Sequence, residues 1–256
     1  MSDFDRNYAA ARGVGTDRAI AIDQGLRAHM IRVYNYMTGG LALTGIVAWL
    51  AYLAAGGDAI SVSGNSISGL TPFGQAIFSG PLMWVLLLVP LGLVFFLSFR
   101  IQYMQASTAR FVFFVYAALL GLSLASLFVV YTHASITRVF FITAASFGAL
   151  SVWGYTTKRD LSAMGSFLVM GLFGLILASI VNIFWPNGAL QFVISVAGVL
   201  IFAGLTAWDT QKVKEFYDPM DDGTVAGRKA VMGALSLYLD FINMFLFMLR
   251  LFGDRR

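Results

Sequence analysis

Long apolar runs constrain this chain more than any other feature. Each is close to the roughly 20 residues that a helix needs to cross about 30 Å of hydrocarbon. The runs cover residues 34–55, 81–99, 111–131, 139–156, 163–184, 190–211 and 231–251. Because only helices and closed barrels satisfy backbone groups in lipid, and barrel strands would alternate in polarity, continuous runs indicate helices. The sequence predicts an all-α polytopic membrane protein with seven transmembrane helices.

Composition excludes the other broad classes. The 256 residues are 59% hydrophobic and 12% charged, whereas soluble chains average about 45–50% apolar and about 25% charged. With no cysteine, disulfide frameworks and thiolate metal sites are excluded. The net charge of +4 comes from basic residues at the ends of apolar runs, which is typical of topology signals. We therefore expect the lipid bilayer as partner and no nucleic acid.

The basic residues also predict the orientation. Residues 1–31 form a polar amino-terminal tail, and residues 32–256 form the transmembrane domain. Thirteen lysines and arginines lie before the first apolar run and in every second connection, whereas the opposite connections carry only Arg138. Because cytoplasmic segments hold the excess of basic residues, the amino terminus is predicted to be cytoplasmic.

Three further arginines conflict with this orientation. Seven crossings place Arg250, Arg255 and Arg256 outside, which the positive-inside rule disfavours. Either the last segment does not cross fully, or a short basic tail is tolerated there.

Small residues and turn residues predict local features. The outer loop from Gly56 to Gly80 is rich in Gly, Ser and Asn and is expected to be irregular or a short hairpin. The pairs Gly121/Ala125 and Ala203/Ala207 repeat at a four-residue spacing, which lets helix backbones approach closely.

Two aspartates lie inside the predicted spans. Asp209 is near the cytoplasmic end of the sixth span and Asp240 is well inside the seventh. A carboxylate at the centre of a span costs at least about 2.5–3.5 kcal/mol on insertion scales, so each is a functional candidate. The two spans are joined by a short loop and the predicted depths differ by roughly 7 Å, so helix tilt would let the carboxylates meet. Two like charges in low dielectric cannot both ionise cheaply, so the pair would share a proton and act as a pH switch.

Neighbouring polar residues extend this hypothesis. Thr206 lies three residues before Asp209, and Asn243 three after Asp240, each on the same helix face as its aspartate. Arg100 ends the second span and could pair with an ionised aspartate.

Structural explanations stay open beside these roles. Asp209 could be solvated at the membrane interface beside Lys212 and Lys214. Asp240 could be a neutral carboxyl bonded to Asn243 or to a backbone carbonyl, and Arg100 could be an interfacial anchor.

Three motifs carry a family resemblance. They are Tyr36-Met-Thr-Gly-Gly40, Ala207-Trp-Asp-Thr-Gln211 and Ala234-Leu-Ser-Leu-Tyr-Leu-Asp-Phe-Ile-Asn-Met-Phe245. Together they resemble the Bax inhibitor-one family in a bacterial version.

The resemblance implies six helices around a central seventh, and a pH-dependent calcium leak across a bacterial inner membrane. It implies that Asp209 and Asp240 form a paired-aspartate sensor, with Arg100 as the best match for a second-helix arginine that latches to the pair. Calcium would be the permeant ion, held transiently by the two aspartates, and no other cofactor is expected. A hard cation suits carboxylate and carbonyl oxygens.

Other functions remain as alternatives. Bacterial members of the family are thought to restrain a membrane-anchored quality-control protease, which gives a non-transporting modulator with the 1–31 tail as its cytoplasmic docking segment. An intramembrane aspartyl protease also needs two aspartates, but here they follow Trp208 and Leu239 and lack the flanking glycines of presenilin-like enzymes. A proton-coupled carrier is a further class. We expect no enzymatic activity, because no nucleophile, metal or cofactor motif is present.

Overall fold

Helices account for most of the secondary structure. The computed structural model describes residues 3–63 and 66–256, with backbone only for residues 3–22, 62, 63 and 66. The elements are α1 (Asp3–Ala55), β1 (Ser61–Ser63), β2 (Ser66–Ser68), α2 (Pro72–Phe78), α3 (Leu82–Arg100), α4 (Ala106–Leu124), α5 (Ser126–Val130), α6 (His133–Thr156), α7 (Ser162–Phe184), α8 (Gly188–Glu215) and α9 (Gly223–Phe252).

The predicted membrane spans are confirmed. Within the described part of the chain, seven segments are long and apolar enough to cross a membrane: Asp23–Ala55, Leu82–Tyr103, Ala106–Val130, His133–Thr156, Ser162–Phe184, Gly188–Glu215 and Gly223–Phe252. Each overlaps one predicted run. The protein is therefore an all-α membrane protein. The predicted tail at residues 1–31 falls largely outside the residues with described side chains, so that boundary stays a prediction.

Helix α9 lies at the centre of the bundle. In its most apolar stretch 61% of the residues are buried, against 6% for α7. It packs against α1, α4, α6 and α8, and side chains such as Leu237, Tyr238 and Met244 are fully buried there. The predicted central seventh helix is confirmed. The outward faces of α3 and α7 expose large apolar side chains such as Phe99 and Phe173, which suits contact with lipid.

Small residues bring helices into close contact as expected. A side-chain carbon added at Gly154 of α6 would collide with the backbone of Ala207 on α8. One added at Gly121 of α4 would meet the carbonyl oxygen of Thr44 at 2.7 Å. Two residues of the predicted small-residue pairs therefore lie at helix–helix contacts.

The outer loop forms a short hairpin. Strands β1 and β2 pair antiparallel, with Ser61 opposite Ser68, and α2 follows with the Thr71 hydroxyl accepting a hydrogen bond from the Gly74 amide. Gly69 has a φ of 80°, and a side chain there would collide with the Ala59 carbonyl.

The residues after α9 show at which end of the bundle the chain finishes. Helix α9 crosses the whole bundle, and Arg256 reaches Tyr52 and His133 at the end that also carries the hairpin. Its guanidinium lies 3.6 Å from the Asp58 carboxylate, and Arg138 binds Asp254 at 2.9 Å. The last helix therefore runs the full length of the bundle, and polar partners hold the basic residues at this end.

Candidate functional site: an acidic pair in the helix core

Asp209 lies six residues before the end of α8 and is half-buried. The ammonium group of Lys212, one turn further on, lies 4.8 Å from the centre of the Trp208 ring. This cation–π contact holds the lysine where its charge acts on Asp209. Asp209 therefore sits between the membrane interface and the bundle core.

Asp240 lies in the middle of α9 and is only 4% exposed. Its Oδ2 has no hydrogen-bond partner among the described residues. Leaving a buried polar atom unpaired costs about 1–3 kcal/mol, and more for a charged group. Packing alone gives no reason for an aspartate at this position.

The structure brings the two aspartates together. Helices α8 and α9 pack along one another, and the carboxyl groups of Asp209 and Asp240 lie close enough for the charge of one to act on the other. This places the predicted pair on facing helices inside the bundle.

The predicted supporting residues do not bind the pair. The Thr206 hydroxyl donates to the Phe202 carbonyl at 2.8 Å, and the Asn243 amide donates to the Leu239 carbonyl at 2.8 Å. Each side chain therefore forms its hydrogen bond within its own helix, as polar side chains in apolar helices often do. The structural alternative in which Asn243 bonds Asp240 is not seen among the described residues, because the Asn243 amide donates to Leu239 instead.

Arg100 lies away from the pair. It is exposed at the end of α3, and its guanidinium lies 5.9 Å from the centre of the Tyr103 ring. In the part of the chain that the structure describes, the cation that acts on Asp209 is Lys212 rather than Arg100. Reaching the pair would require Arg100 to move.

A chain of hydroxyl groups beside Asp209 was not foreseen from the sequence. The hydroxyl oxygens of Tyr34 and Ser151 are 2.6 Å apart, and those of Ser151 and Thr210 are 2.9 Å apart. This chain connects α1, α6 and α8. No spacing within one helix signals it, because each residue comes from a different span.

Gln211 is a second buried polar residue that sequence reasoning missed. Its amide nitrogen donates to the Arg159 carbonyl and its carbonyl oxygen accepts from the Leu161 amide, both at 2.8 Å. It ties the connection between α6 and α7 to α8, close to Asp209.

The site offers few ligands to a metal ion. Among the residues searched, no group of three or more His, Cys, Asp or Glu side chains could hold one. Two carboxylates supply at most four oxygens, whereas Ca²⁺ takes about 6–8, so carbonyls and water would complete any shell. The two histidines cannot share a site, because His29 packs near Tyr217 and His133 near Trp49 at opposite ends of the bundle.

The bundle and its site define a polytopic membrane protein with an intramembrane acidic pair. The family model described as "Inhibitor of apoptosis-promoting Bax1" matches residues 26–256. The chain therefore belongs to the Bax inhibitor-1 family, as its motifs indicate.

Bacterial relatives match nearly the whole chain. Inner membrane protein YbhL of Escherichia coli is 42% identical over 94% of this chain and 97% of its own. Uncharacterized protein RP147 of Rickettsia prowazekii is 42% identical over 94% of this chain and 95% of its own. An uncharacterized protein of Caulobacter vibrioides is 42% identical over the full length of both chains.

Proposed function

We propose that this protein is a pH-sensitive calcium leak of a bacterial inner membrane, with Asp209 and Asp240 as its sensor. The observation that carries the proposal is Asp240, a buried carboxyl group whose Oδ2 has no hydrogen-bond partner in the described structure. The proposed location follows from seven spans and from a relative named as an inner membrane protein.

Competition between protons and a cation gives the pair its pH sensitivity. Two carboxylates that interact within a protein core are costly when both are charged. Either a proton or a hard cation relieves that cost, and carboxylate oxygens suit Ca²⁺. Calcium occupancy at the pair therefore depends on pH.

Asp240 of the pair is buried in this structure. None of five cavities in the described part of the chain is lined by Asp209 or Asp240. Ion passage therefore requires the helices around α9 to move. Protonation changes the charge that Lys212 faces at Asp209, which gives such a movement a direct electrostatic cause. In this proposal Arg100 pairs with the ionised dyad only after moving from its exposed position.

Calcium flux into dye-loaded proteoliposomes, scanned from about pH 5 to about pH 8, tests the proposal across the range in which a shared proton would be exchanged. We expect parent flux to vary with pH, and Asp209→Asn or Asp240→Asn to flatten that dependence. Arg100→Ala should shift it if the arginine closes the pair. Asp160→Asn, in an exposed turn outside the bundle core, is the matched control and should behave as the parent.

Equal flux from protein-containing and protein-free vesicles at every pH would overturn the leak. Parent-like pH dependence in both aspartate variants would overturn the sensor while leaving the leak. The first result would leave the modulator of a membrane-anchored protease as the function to test by pull-down.

A further inference from the structure

A large groove separates α1 from α6. These helices make few contacts with one another, although both pack on other helices of the bundle. The cavity between them has a volume of about 960 Å³ and is closed at its base by Phe241 of α9. Its walls are mostly apolar, with Met30, Ile31, Leu41, Phe140 and Phe147 among the lining residues. Apolar cavities of this kind do not hold water, so hydrocarbon suits the space.

Two glycines keep the groove open. Gly45 of α1 and Gly148 of α6 both line it, and a side-chain carbon added at either would meet no atom within 4 Å. They differ from Gly154 on the same helix, whose missing side chain lets α8 approach. These glycines therefore leave space that the described structure does not fill.

One end of the groove is polar. Arg27 lies at the end where the α1 span begins, and Tyr34 lies two turns further along the same face, about 10 Å away along the helix. Arg27 is exposed and forms no ion pair with the described residues. The groove thus joins a cationic mouth to an apolar interior.

The hydroxyl chain fixes what Tyr34 offers to a ligand. Thr210 donates to the Thr206 carbonyl at 2.7 Å, so it must accept from Ser151. Ser151 must then accept from Tyr34. The Tyr34 oxygen is left as an acceptor at the groove wall, suited to a hydroxyl or amine of a headgroup.

We infer that this groove binds one anionic glycerophospholipid, with its phosphate at Arg27 and an acyl chain between α1 and α6. The apolar walls match the chain, and the charge of Arg27 matches the phosphate. The inference is independent of the proposed calcium leak.

Native mass spectrometry of the detergent-solubilised full chain tests it, with phosphatidylglycerol and phosphatidylcholine of the same acyl chains as probes. We expect the parent to bind one phosphatidylglycerol in preference to phosphatidylcholine. Gly148→Leu places a side chain in the groove at a position where an added Cβ meets no atom within 4 Å, and it should weaken binding by about tenfold or more, a change that the titration resolves. Gly174→Leu is the matched control, because Gly174 is exposed on α7 and also has open space around it.

Arg27→Gln separates the headgroup from the chain. It should abolish the preference for phosphatidylglycerol by weakening phosphatidylglycerol binding more than phosphatidylcholine binding, because the choline cation already offsets part of the phosphate charge that Arg27 attracts. Equal binding by Gly148→Leu and Gly174→Leu would overturn the groove as the site. Equal affinity of the parent for both lipids would overturn the role of Arg27, and a mass showing two chains in place of lipid would assign the groove to a second copy.

Discussion

At the residue scale, burial gives the two aspartates of the pair different roles. Asp209 is half-buried beside the exposed Lys212, whereas Asp240 is 4% exposed in the middle of α9. In the proposed function, a proton or ion entering from the end at which α8 finishes would reach Asp209 first. Asp240 then determines how costly it is to leave the pair charged, because its carboxylate has the least solvent around it.

Asp160 shows what a solvated aspartate does in the same chain. It lies in the turn before α7, and its Oδ1 accepts a hydrogen bond from the Ser162 amide at 2.8 Å. Hydrogen bonds from the side chain and backbone of Ser162 lower the pKa of Asp160 below its ordinary value of 3.8. These bonds favour the ionised form in the folded state.

The pKa of Asp160 leads to a pH-dependent prediction. A carboxyl group whose pKa is lower in the folded state stabilises the fold at pH values above its unfolded-state pKa. That stabilisation is lost as the pH falls through the folded-state pKa. Asp160→Ala should therefore unfold at a slightly lower temperature than the parent near neutral pH. The difference should shrink once the pH falls below 3.8. Thermal unfolding in detergent measures it. Lys158→Ala, exposed in the same turn, is the control and should show no such convergence; a difference for Asp160→Ala that persists at acid pH would contradict the prediction.

At the scale of elements, α6 uses glycine in two opposite ways. Gly154 faces the backbone of Ala207 on α8, whereas Gly148, less than two turns earlier, faces open space. In lipid the hydrophobic effect does not drive helices together. Van der Waals contact between closely packed helices supplies the attraction instead. One face of α6 therefore holds the bundle together, and another borders the groove.

Alanine substitutions distinguish these two uses. Gly154→Ala should destabilise the bundle by about 1–3 kcal/mol, because a methyl group there overlaps backbone that cannot move aside. Gly148→Ala should be neutral or stabilising by up to about 1 kcal/mol, because alanine favours the helix and nothing opposes it. Denaturant unfolding of the two variants beside the parent measures the contrast. Equal effects would mean that the α6–α8 contact does not depend on this glycine.

Hydropathy and small-residue spacing predicted much at this scale. The apolar runs gave the spans, and Ala207 and Gly121 lie at helix contacts as their spacing indicated. The hydroxyl chain from Tyr34 to Thr210 and the groove were not predictable, because they depend on which helices are neighbours. Lipid-facing and core-facing sides of a membrane helix are both apolar, so the sequence carries little signal for that choice.

Polar side chains of the candidate site were harder to place than the spans. Thr206 and Asn243 share a face with their aspartates, yet each bonds a carbonyl of its own helix. A side chain in an apolar setting takes the nearest acceptor, and the fourth residue before it always offers one. Arg100 has water at the end of α3 and needs no partner inside the bundle.

At the scale of the whole molecule, both ends of the bundle hold basic residues with polar partners. At the end with the α8–α9 connection, Lys214 donates to the Tyr155 carbonyl at 3.0 Å and Lys229 lies 2.5 Å from Asp221. At the other end, Arg138 and Arg256 are held by Asp254 and Asp58. With the predicted orientation, these acids would offset the basic residues that the positive-inside rule disfavours outside.

Single cysteines test the orientation of this arrangement, because the chain has none of its own. Lys158→Cys marks the α6–α7 turn, Pro186→Cys marks the α7–α8 turn, and Arg255→Cys marks the residues after α9; all three positions are exposed.

If the excess of basic residues faces the cytoplasm, a membrane-impermeant maleimide should label Pro186→Cys and Arg255→Cys in intact spheroplasts and Lys158→Cys only after lysis. The reverse pattern would invert the bundle. If Arg255→Cys were labelled under the same condition as Lys158→Cys, the two positions would lie on the same side of the membrane. That result would show that α9 does not cross. The cysteine-free parent sets the background for both conditions.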